Sequence, residues 1–519
     1  MASISARSGE SVVVAVGCHW PEASWRTCVC AAASPAKSAT DAAARAPREA
    51  AGPSVARRGR EECPIIARSL PRAMAERWLT AGVRWSMAAE SREVVITGLG
   101  AIAPSGVGVE AFARSLRAGV SGVRPVSWSH PRCAATVAAE CVGFEPRSVM
   151  SEADLARVPR LVPMGLCAAR EACAMAGLPE FGGVERVGLV EEARRVGLVL
   201  GTGGGGIDFT LDQTAGLHAD RKISLWTITN ATHGNLAGEL SIRLGLRGPS
   251  LCVSTGCASS SDALGMARDV LLSDRPGAPT SMVVVGADAH VRWETISAME
   301  LLGVLSTRRW ESAAEAATAS RPFDASRDGF VLGEGAWAVV LERASTARAR
   351  GASVIATLAG YGATCDAFHR VRPAPDMEES ARAMRMAMED AGVVPEEIDL
   401  IHYHGTATAL NDALETKAVK LALGEARARR VPGHSVKSMI GHPQGACGMA
   451  AVVSTLACLR GTEPVIFPTI NLERPDAACD LDYTANVARA AGGVQHVLVN
   501  CLAFGAKNSA LVLRVGEQG

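Results

Sequence analysis

Residues 251–265 read LCVSTGCASSSDALG. The apolar run Leu251–Val253 is typical of a buried strand, Gly256 permits a sharp turn, and the small residues after Cys257 favour the start of a helix. This strand–turn–helix unit predicts an exposed Cys257 thiol at a helix N-terminus, where the helix dipole and free N–H groups favour the thiolate. A lone cysteine is more often a structural core residue, but the absence of bulky neighbours favours a nucleophile here.

The same alternation of strand and helix continues along the chain from residue 92. Short runs rich in Val, Leu and Ile indicate strands, and the amphipathic stretches between them indicate helices. Such alternation predicts the α/β class, with a parallel-rich sheet covered on both faces. The predicted strands are 94–100, 196–200, 281–286, 336–341, 399–403, 494–500 and 510–515, and the predicted helices include 377–391 and 411–423.

Composition excludes several functional classes. The 519 residues include 53 basic and 53 acidic side chains, so the formal net charge is zero. This balance argues against a nucleic-acid or anionic-membrane binder, and the absence of a long uncharged apolar run predicts no membrane span. The 15 cysteines are irregularly spaced and match no disulfide framework or zinc pattern, which indicates a reducing, cytoplasmic location.

Residues 1–86 differ in composition from the rest of the chain, being rich in Ala, Arg and Ser. We favour the interpretation that they are upstream sequence joined by a mis-assigned start, with Met87 as the natural start. A disordered regulatory extension is a second interpretation. A transit peptide for organelle import is less favoured, because the segment contains six glutamates.

A second motif, residues 402–415, reads HYHGTATALNDALE. His404 falls at the end of a predicted strand, where α/β folds place their ligands. The hydroxyls of Thr406 and Thr408 suit a polar substrate arm, and a helix is predicted to start near Asn411. The structural alternative is a helix cap beneath a core histidine, which we prefer for His402.

A third and a fourth motif lie nearer the C-terminus. Residues 435–450 read SVKSMIGHPQGACGMA, with Lys437 and His442 on either side of a turn. A lysine in such apolar surroundings needs a carboxylate partner, for which Glu415 is the candidate. Residues 500–509, NCLAFGAKNS, predict a strand, a Gly turn and a second strand, where a backbone N–H can bind an oxyanion. The alternative there is an ordinary hairpin with a core phenylalanine.

Two further patterns are weaker. The run Gly203–Gly206 follows a predicted strand, but no Gly-Lys-Ser/Thr accompanies it, so a flexible turn near the active site is preferred to a phosphate loop. The spacing of the histidines and Cys257 matches no zinc-ligand pattern, so no metal is predicted.

Taken in order, the four motifs resemble those of the β-ketoacyl-acyl-carrier-protein synthases, condensing enzymes of the thiolase superfamily. The resemblance runs from about residue 92 to residue 516, and several independent motifs carry it. Supporting segments are Val95–Gly100, Arg247-Gly248-Pro249, Arg321-Pro322-Phe323-Asp324 and Gly333-Glu334-Gly335.

The resemblance implies a thiolase-like duplicated fold in five layers, αβαβα. Its N-terminal half, 87–345, would carry the nucleophilic cysteine, and its C-terminal half, 346–519, the two catalytic histidines. It also implies a homodimer, acyl-acyl-carrier-protein (acyl-ACP) and malonyl-ACP as partners, and no metal or other cofactor.

The resemblance further implies a decarboxylative condensation that yields 3-oxoacyl-ACP. Cys257 would carry the acyl group, with the oxyanion held by its own N–H and that of Phe504. His404 and His442 would polarise the malonyl thioester. Lys437 paired with Glu415 would orient the site. The other implied site residues are Asp412 supporting the loop, Thr406 and Thr408 contacting the pantetheine arm, and Gly505 contacting substrate.

The chain departs from the family at the closing motif, where Leu502, Ala503 and Lys507 stand in place of an aromatic residue, a glycine and a hydroxyl. These departures leave the acyl preference open. Fatty-acid or related lipid elongation is the leading function, with a ketosynthase of a type II polyketide or polyene pathway as its rival. A non-catalytic chain-length subunit of a heterodimer is less favoured, because such partners lose the nucleophile that Cys257 retains.

Overall fold

A computed structural model describes residues 93–182 and 189–516 of the chain. Residues 1–86 lie outside the described part, so their interpretation stays a prediction. The strands are β1 Val94–Ala103, β2 Gly106–Val107, β3 Arg124–Pro125, β4 Val137–Ala138, β5 Val196–Gly201, β6 Ser250–Val253, β7 Ser281–Asp288, β8 Gly335–Arg343, β9 Ala356–Cys365, β10 Leu400–His402, β11 Gly433–His434, β12 Val465–Ile466, β13 Arg489–Ala490, β14 His496–Ala503 and β15 Lys507–Val515.

Helices alternate with these strands. The longer helices are Val109–Arg117, Leu161–Met175, Ile207–His218, His233–Leu244, Ser259–Leu272, Trp293–Glu300, Glu378–Ala391, Ala409–Leu423 and Cys447–Leu459. The shorter ones are Glu152–Leu155, Val190–Arg194, Thr227–Ala231, Ala313–Ala316, Ala344–Ala349, Glu425–Ala428 and Lys437–Ile440, with 3-10 turns at Pro146–Ser148, Gly256–Ala258, Pro395–Glu397 and Gln444–Ala446.

The main sheet repeats one topology twice. Its order is β11-β10-β14-β15-β9-β1-β8-β7-β5-β6, with β2 paired to β1. Ten of these strands form two sets of five. The first set is β1, β5, β6, β7 and β8, and the second is β9, β10, β11, β14 and β15. When the strands of each set are numbered along the chain and read inward from the sheet edge, both sets have the order 3-2-4-5-1. In both, the first three strands of that order are parallel, and the last two join antiparallel. The two sets meet where β1 pairs with β9. This repeat is the duplication that the resemblance implies.

Helices cover and separate the two sets of strands. Leu161–Met175 and His233–Leu244 pack on the outer face of the first set, and Glu378–Ala391 packs on the outer face of the second. Ser259–Leu272 and Cys447–Leu459 lie between the sets and contact strands of both. All 13 residues of Cys447–Leu459 are buried. The five-layered αβαβα fold is therefore confirmed.

Close packing of the first strand explains two of its glycines. A Cβ at Gly98 would lie 2.0 Å from the Ala172 carbonyl oxygen, and one at Gly100 would lie 1.9 Å from that of Ala168. Both partners belong to the outer helix Leu161–Met175, so only glycine lets the strand approach the helix backbone this closely.

The predicted long elements are present, with shifted ends. Predicted strand 494–500 extends to Ala503, predicted strand 510–515 begins earlier at Lys507, and predicted helix 411–423 begins earlier at Ala409. In the described ranges, no helix is both long and apolar enough to cross a membrane.

The topology brings the sequence motifs together. In each set the three parallel strands have their carboxyl ends on the same side of the sheet. Cys257 follows the parallel strand β6, and His404 follows the parallel strand β10. Lys437 and His442 follow β11, and Phe504 follows β14. Side chains that are far apart in sequence therefore meet between the two halves, beyond the carboxyl ends of the strands.

Candidate active site

Cys257 is the middle residue of the 3-10 turn Gly256–Ala258, which leads into the helix Ser259–Leu272. Gly256 has a φ of 68°, a left-handed conformation that favours glycine. The thiol therefore stands at a strand–turn–helix junction, as predicted.

The prediction of an exposed thiol biased toward the thiolate is wrong. Cys257 is only 4% exposed. Burial raises its pKa to about 11, although the Lys437 charge and the N–H groups of Phe504 and Cys257 itself act to lower it. Desolvation outweighs the helix terminus because the sulfur faces the other half of the molecule instead of water.

His404 lies just beyond β10 and is buried. The Lys437 Nζ lies 3.3 Å from its Nδ1, and the Cys501 Sγ lies 3.5 Å from the same nitrogen. Burial lowers the pKa of His404 well below its usual value, and the Lys437 charge lowers it further. The ring is therefore neutral at pH 7.

His442 approaches from the loop after the helix Lys437–Ile440 and is also buried. The backbone N–H of Gln444 donates to its Nδ1 over 3.1 Å, and the Cys447 Sγ lies 3.6 Å from that nitrogen. Burial and the Lys437 charge hold the pKa of this ring well below its usual value too. The two imidazole rings stand edge to face with centroids 5.5 Å apart.

The hydrogen bonds define the tautomer of both rings. An ammonium and a backbone N–H can only donate, so Nδ1 is the acceptor in His404 and in His442. Each neutral ring then carries its proton on Nε2. The site contains two N–H donors from two different loops, which is the arrangement needed to bind one developing oxyanion.

One sulfur and two ring nitrogens of Cys257, His404 and His442 lie within 4.8 Å of one another, a grouping that could hold a metal ion. A histidine ligates through a nitrogen that carries no proton. Because both Nδ1 atoms already accept hydrogen bonds and both Nε2 atoms carry protons, the donor set does not fit a metal.

Lys437 is buried, as its apolar flanks predict, but its predicted pairing with Glu415 is wrong. The ammonium donates to the His404 carbonyl oxygen over 2.7 Å and contacts the His404 ring. No ion pair between Lys437 and Glu415 is found within the described ranges. Lys437 therefore acts directly on His404.

Glu415 is occupied by other donors. Its carboxylate accepts hydrogen bonds from the N–H groups of His404 at 2.6 Å and Gly405 at 2.8 Å, and from the Asn500 amide at 2.7 Å. Burial nevertheless raises its pKa to about 7. Glu415 thus holds the backbone that carries His404.

Asp412 supports the next residues of the same loop. Its carboxylate accepts from the N–H groups of Thr406 at 3.0 Å and Ala407 at 3.2 Å, and from that of Phe323 at 2.8 Å. Thr408, and not an Asn or Asp residue, caps the helix Ala409–Leu423 through its hydroxyl. The loop from His404 to Thr408 is therefore fixed along its whole length.

A cavity of about 610 Å³ opens onto these groups. Its polar lining includes Cys257, His404 and His442, together with Thr406 and Thr408. Apolar lining residues, among them Leu301, Leu302, Val304, Phe330, Leu502 and Phe504, make up much of the remaining wall. Gly505 is exposed at the turn after Phe504 and does not line the cavity. The cavity suits an apolar chain that carries a reactive carbonyl at its end.

Sequence reasoning missed Asp288, and it described the neighbouring glycine run wrongly. The Asp288 carboxylate accepts from the N–H groups of Gly203 at 2.8 Å, Gly204 at 2.9 Å and Gly445 at 2.6 Å, and from the Thr202 hydroxyl at 2.7 Å. The glycine loop is therefore pinned to the loop after His442 and is not a flexible turn. An acidic residue at the end of the buried strand β7 was the available signal.

Comparison with known proteins gives a consistent result. The model of the beta-ketoacyl synthase N-terminal domain matches residues 91–347, and that of the C-terminal domain matches residues 355–473. The chain is 35% identical over 426 residues to 3-oxoacyl-[acyl-carrier-protein] synthase 2 of Vibrio cholerae, covering 82% of this chain and 99% of that protein.

Solved structures agree. A type II polyketide ketosynthase bound to its acyl-carrier protein and a hexaketide superposes with a TM-score of 0.71 and 30% identity, over 82% of this chain and all of that one. A beta-ketoacyl synthase from Burkholderia phymatum superposes with a TM-score of 0.72, at 30% identity and the same coverage.

The raised pKa of Cys257 predicts how alkylation of this thiol depends on pH. Because the thiolate is the reactive form and the pKa is about 11, the rate should rise about tenfold per unit between about pH 7 and pH 9.5, without levelling off. Peptide mass spectrometry after iodoacetamide pulses measures this rate. The exposed Cys365 is the reference thiol in the same samples. A plateau for Cys257 below pH 8 would contradict the prediction.

Proposed function

This chain belongs to the β-ketoacyl synthase family, and from that premise we propose that it joins an acyl group held on Cys257 to malonyl-ACP with loss of carbon dioxide, giving 3-oxoacyl-ACP. It is an acyltransferase-class condensing enzyme. The observation that carries the proposal is the meeting of one buried thiol and two histidine N–H donors at the base of an apolar-lined cavity.

The first half-reaction is acyl transfer to Cys257. The sulfur attacks the thioester carbonyl of acyl-ACP, and the new C–S bond forms a tetrahedral oxyanion. The N–H groups of Cys257 and Phe504, which both act to lower the pKa of the Cys257 thiol, are the proposed donors to that oxyanion. The carrier thiol leaves with the proton, and the acyl chain occupies the apolar part of the cavity.

The second half-reaction is decarboxylation and condensation. The bond between the malonyl carboxylate and its neighbouring carbon breaks, carbon dioxide leaves, and the electron pair forms an enolate. The Nε2–H groups of His404 and His442 are proposed to bind the enolate oxygen. The enolate carbon then attacks the acyl-Cys257 carbonyl, a C–C bond forms, and the Cys257 thiolate leaves.

The remaining site residues are proposed to position these groups. Glu415 and Asp412 hold the loop that carries His404, through the hydrogen bonds described above. Thr406 and Thr408 line the cavity and are proposed to contact the amide-containing pantetheine arm, while Gly505 permits the turn that presents Phe504. We also propose that the halves divide as residues 87–345 and 346–519, and that the described free thiols reflect a cytoplasmic location.

Fatty-acid-type elongation is the proposed role, because several curated relatives, such as that of Vibrio cholerae, are 3-oxoacyl-[acyl-carrier-protein] synthases. A polyketide role is the second candidate, favoured by the likeness to the type II ketosynthase complex. Products from malonyl-ACP and a ladder of acyl primers separate the two. One two-carbon extension supports the first, and repeated extension to an unreduced chain supports the second.

We further propose that the protein forms a homodimer through β6. This strand is at the edge of the main sheet, and Ser250 and Leu251 on it are exposed. Large apolar side chains are exposed in the neighbouring segment, including Leu225 at 80%, Ile228 at 76% and Ile242 at 73%. An exposed strand edge flanked by apolar residues suits antiparallel pairing with the same strand of a second copy.

Replacing Cys257 by Ala should abolish both the acyl adduct and the condensed product, because among the described residues that line the cavity Cys257 is the only thiol. Intact-mass spectrometry after incubation with acyl-ACP, followed by product analysis with malonyl-ACP, checks this. Cys365→Ala, at an exposed thiol, is the matched control and should react like the wild type. An acyl adduct on the Cys257→Ala variant would contradict the assignment.

Replacing His404 by Ala should preserve acylation of Cys257 but reduce malonyl-ACP decarboxylation by about 100-fold or more, since one donor to the enolate oxygen is removed. Carbon dioxide release and adduct formation are measured on the same preparation. His496→Ala, at a half-buried histidine of β14 that does not line the cavity, is the control. Normal carbon dioxide release by His404→Ala would rule out the proposed role.

The double variant Leu251→Arg/Ile228→Arg should shift the protein from dimer to monomer, because it buries like charges across the two-fold axis. Light scattering coupled to size-exclusion chromatography gives the mass. Val487→Arg, at a side chain that is 72% exposed elsewhere, should remain dimeric. A monomeric wild type, or an unchanged dimer of the double variant, would disprove the interface.

A further inference from the structure

Asp262 is a buried carboxylate that the mechanism above does not use. It lies in the first turn of the helix Ser259–Leu272 and is 8% exposed. It accepts hydrogen bonds from the Thr255 hydroxyl at 2.5 Å and from the Tyr361 hydroxyl at 2.9 Å. Among the residues that the structure describes, no Lys or Arg forms an ion pair with it.

Thr255 connects this carboxylate to the nucleophile, because it is two residues before Cys257. Its backbone N–H donates to the Ser259 Oγ over 2.9 Å, and that hydroxyl in turn contacts the Gly256 carbonyl oxygen at 2.6 Å. Ser259 thus holds the backbone of the turn, and Asp262 holds the Thr255 side chain on the other side.

Tyr361 connects the same carboxylate to the other half of the molecule. It lies on β9, where it is paired with Leu511 of β15. A Cβ on Gly265 would lie 2.4 Å from the Tyr361 ring, so the ring reaches Asp262 only because residue 265 is glycine. The strand β15 begins three residues after Phe504. The hydrogen bonds from Thr255 through Asp262 to Tyr361 therefore connect the Cys257 turn to the part of the sheet that carries Phe504.

We propose that Asp262, anchored by Tyr361, is a positioning residue that sets the distance between the backbone N–H groups of Cys257 and Phe504, the two proposed oxyanion donors. One donor, Cys257 itself, belongs to the first half of the molecule, and the other, Phe504, belongs to the second. A carboxylate that accepts one hydroxyl from each half fixes the two relative to each other. This inference rests on the proposed role of Cys257 as the acyl carrier.

The test compares the two half-reactions in Asp262→Asn and Tyr361→Phe. Loss of the shared carboxylate or of its anchor should slow single-turnover acylation of Cys257 by about tenfold or more, since misplaced donors stabilise the oxyanion less. Decarboxylation of malonyl-ACP depends on His404 and His442 and should stay within about twofold. The Asp262→Asn/Tyr361→Phe double variant should acylate no more slowly than Asp262→Asn alone, because Tyr361 acts through Asp262.

Thr97→Val is the matched control. The Thr97 hydroxyl is also buried and donates to a buried carboxylate, that of Glu342, over 2.7 Å. This variant should leave both half-reactions unchanged. A similar acylation loss in Thr97→Val would show a general effect of lost buried hydrogen bonds and would overturn the inference.

The other outcomes are equally decisive. Wild-type acylation rates in Asp262→Asn and Tyr361→Phe would overturn the inference and leave the proposed function intact. An equal loss of acylation and decarboxylation would indicate general damage and would also overturn it. If the wild-type protein itself formed no adduct on Cys257, the proposed function would fail, and the inference with it.

Discussion

The electrostatics of the site depend on one buried cation. The Lys437 ammonium is 3% exposed and donates to the carbonyl oxygen of His404. Its charge lowers the pKa of His404, of His442 and of the Cys257 thiol. Burial lowers the pKa of both rings, and the Lys437 charge adds to that effect, whereas at Cys257 the same charge opposes the rise in pKa that burial causes. Both effects serve a reaction in which negative charge appears first on sulfur and oxygen and later on an enolate.

This cation lacks a fixed counter-ion in the described part of the site. The Glu415 carboxylate accepts hydrogen bonds from two backbone N–H groups and from the Asn500 and Asn411 amides, and burial raises its pKa to about 7. A buried charge without a partner is costly. In the proposed mechanism this cost is offset when a negative charge forms on the Cys257 sulfur, on the oxyanion or on the enolate.

Sequence patterns predicted what is local, and missed what depends on contacts between distant segments. The Cys257 turn, the His404 loop and the Phe504 turn each combine a strand end with a glycine, and such signals span only a few residues. The burial of Cys257 could not be predicted, because the groups that cover it come from residues more than 140 positions away. The predicted Lys437–Glu415 ion pair is wrong for the same reason. The charge and the apolar flanks of Lys437 do not reveal that backbone N–H groups and the Asn500 amide bind the Glu415 carboxylate instead. Asp288 was missed because its hydrogen-bond donors are backbone N–H groups and the Thr202 hydroxyl, which form no sequence motif, so its place at the end of β7 was the one available signal.

The duplicated fold also explains why only one of its two equivalent turns carries a cysteine side chain into the cavity. Each half places a 3-10 turn before its central helix, Gly256–Ala258 in the first and Gln444–Ala446 in the second. The middle residue is Cys257 in one turn and Gly445 in the other. A Cβ on Gly445 would lie 2.2 Å from the Gly203 nitrogen and 2.9 Å from an Asp288 oxygen, so that turn has no room for a side chain. The first turn presents a sulfur to the histidines of the second half, whereas the second turn donates its N–H to Asp288 of the first. Duplication thus gives two similar turns, and close packing leaves room for a side chain at the middle position of only the first one.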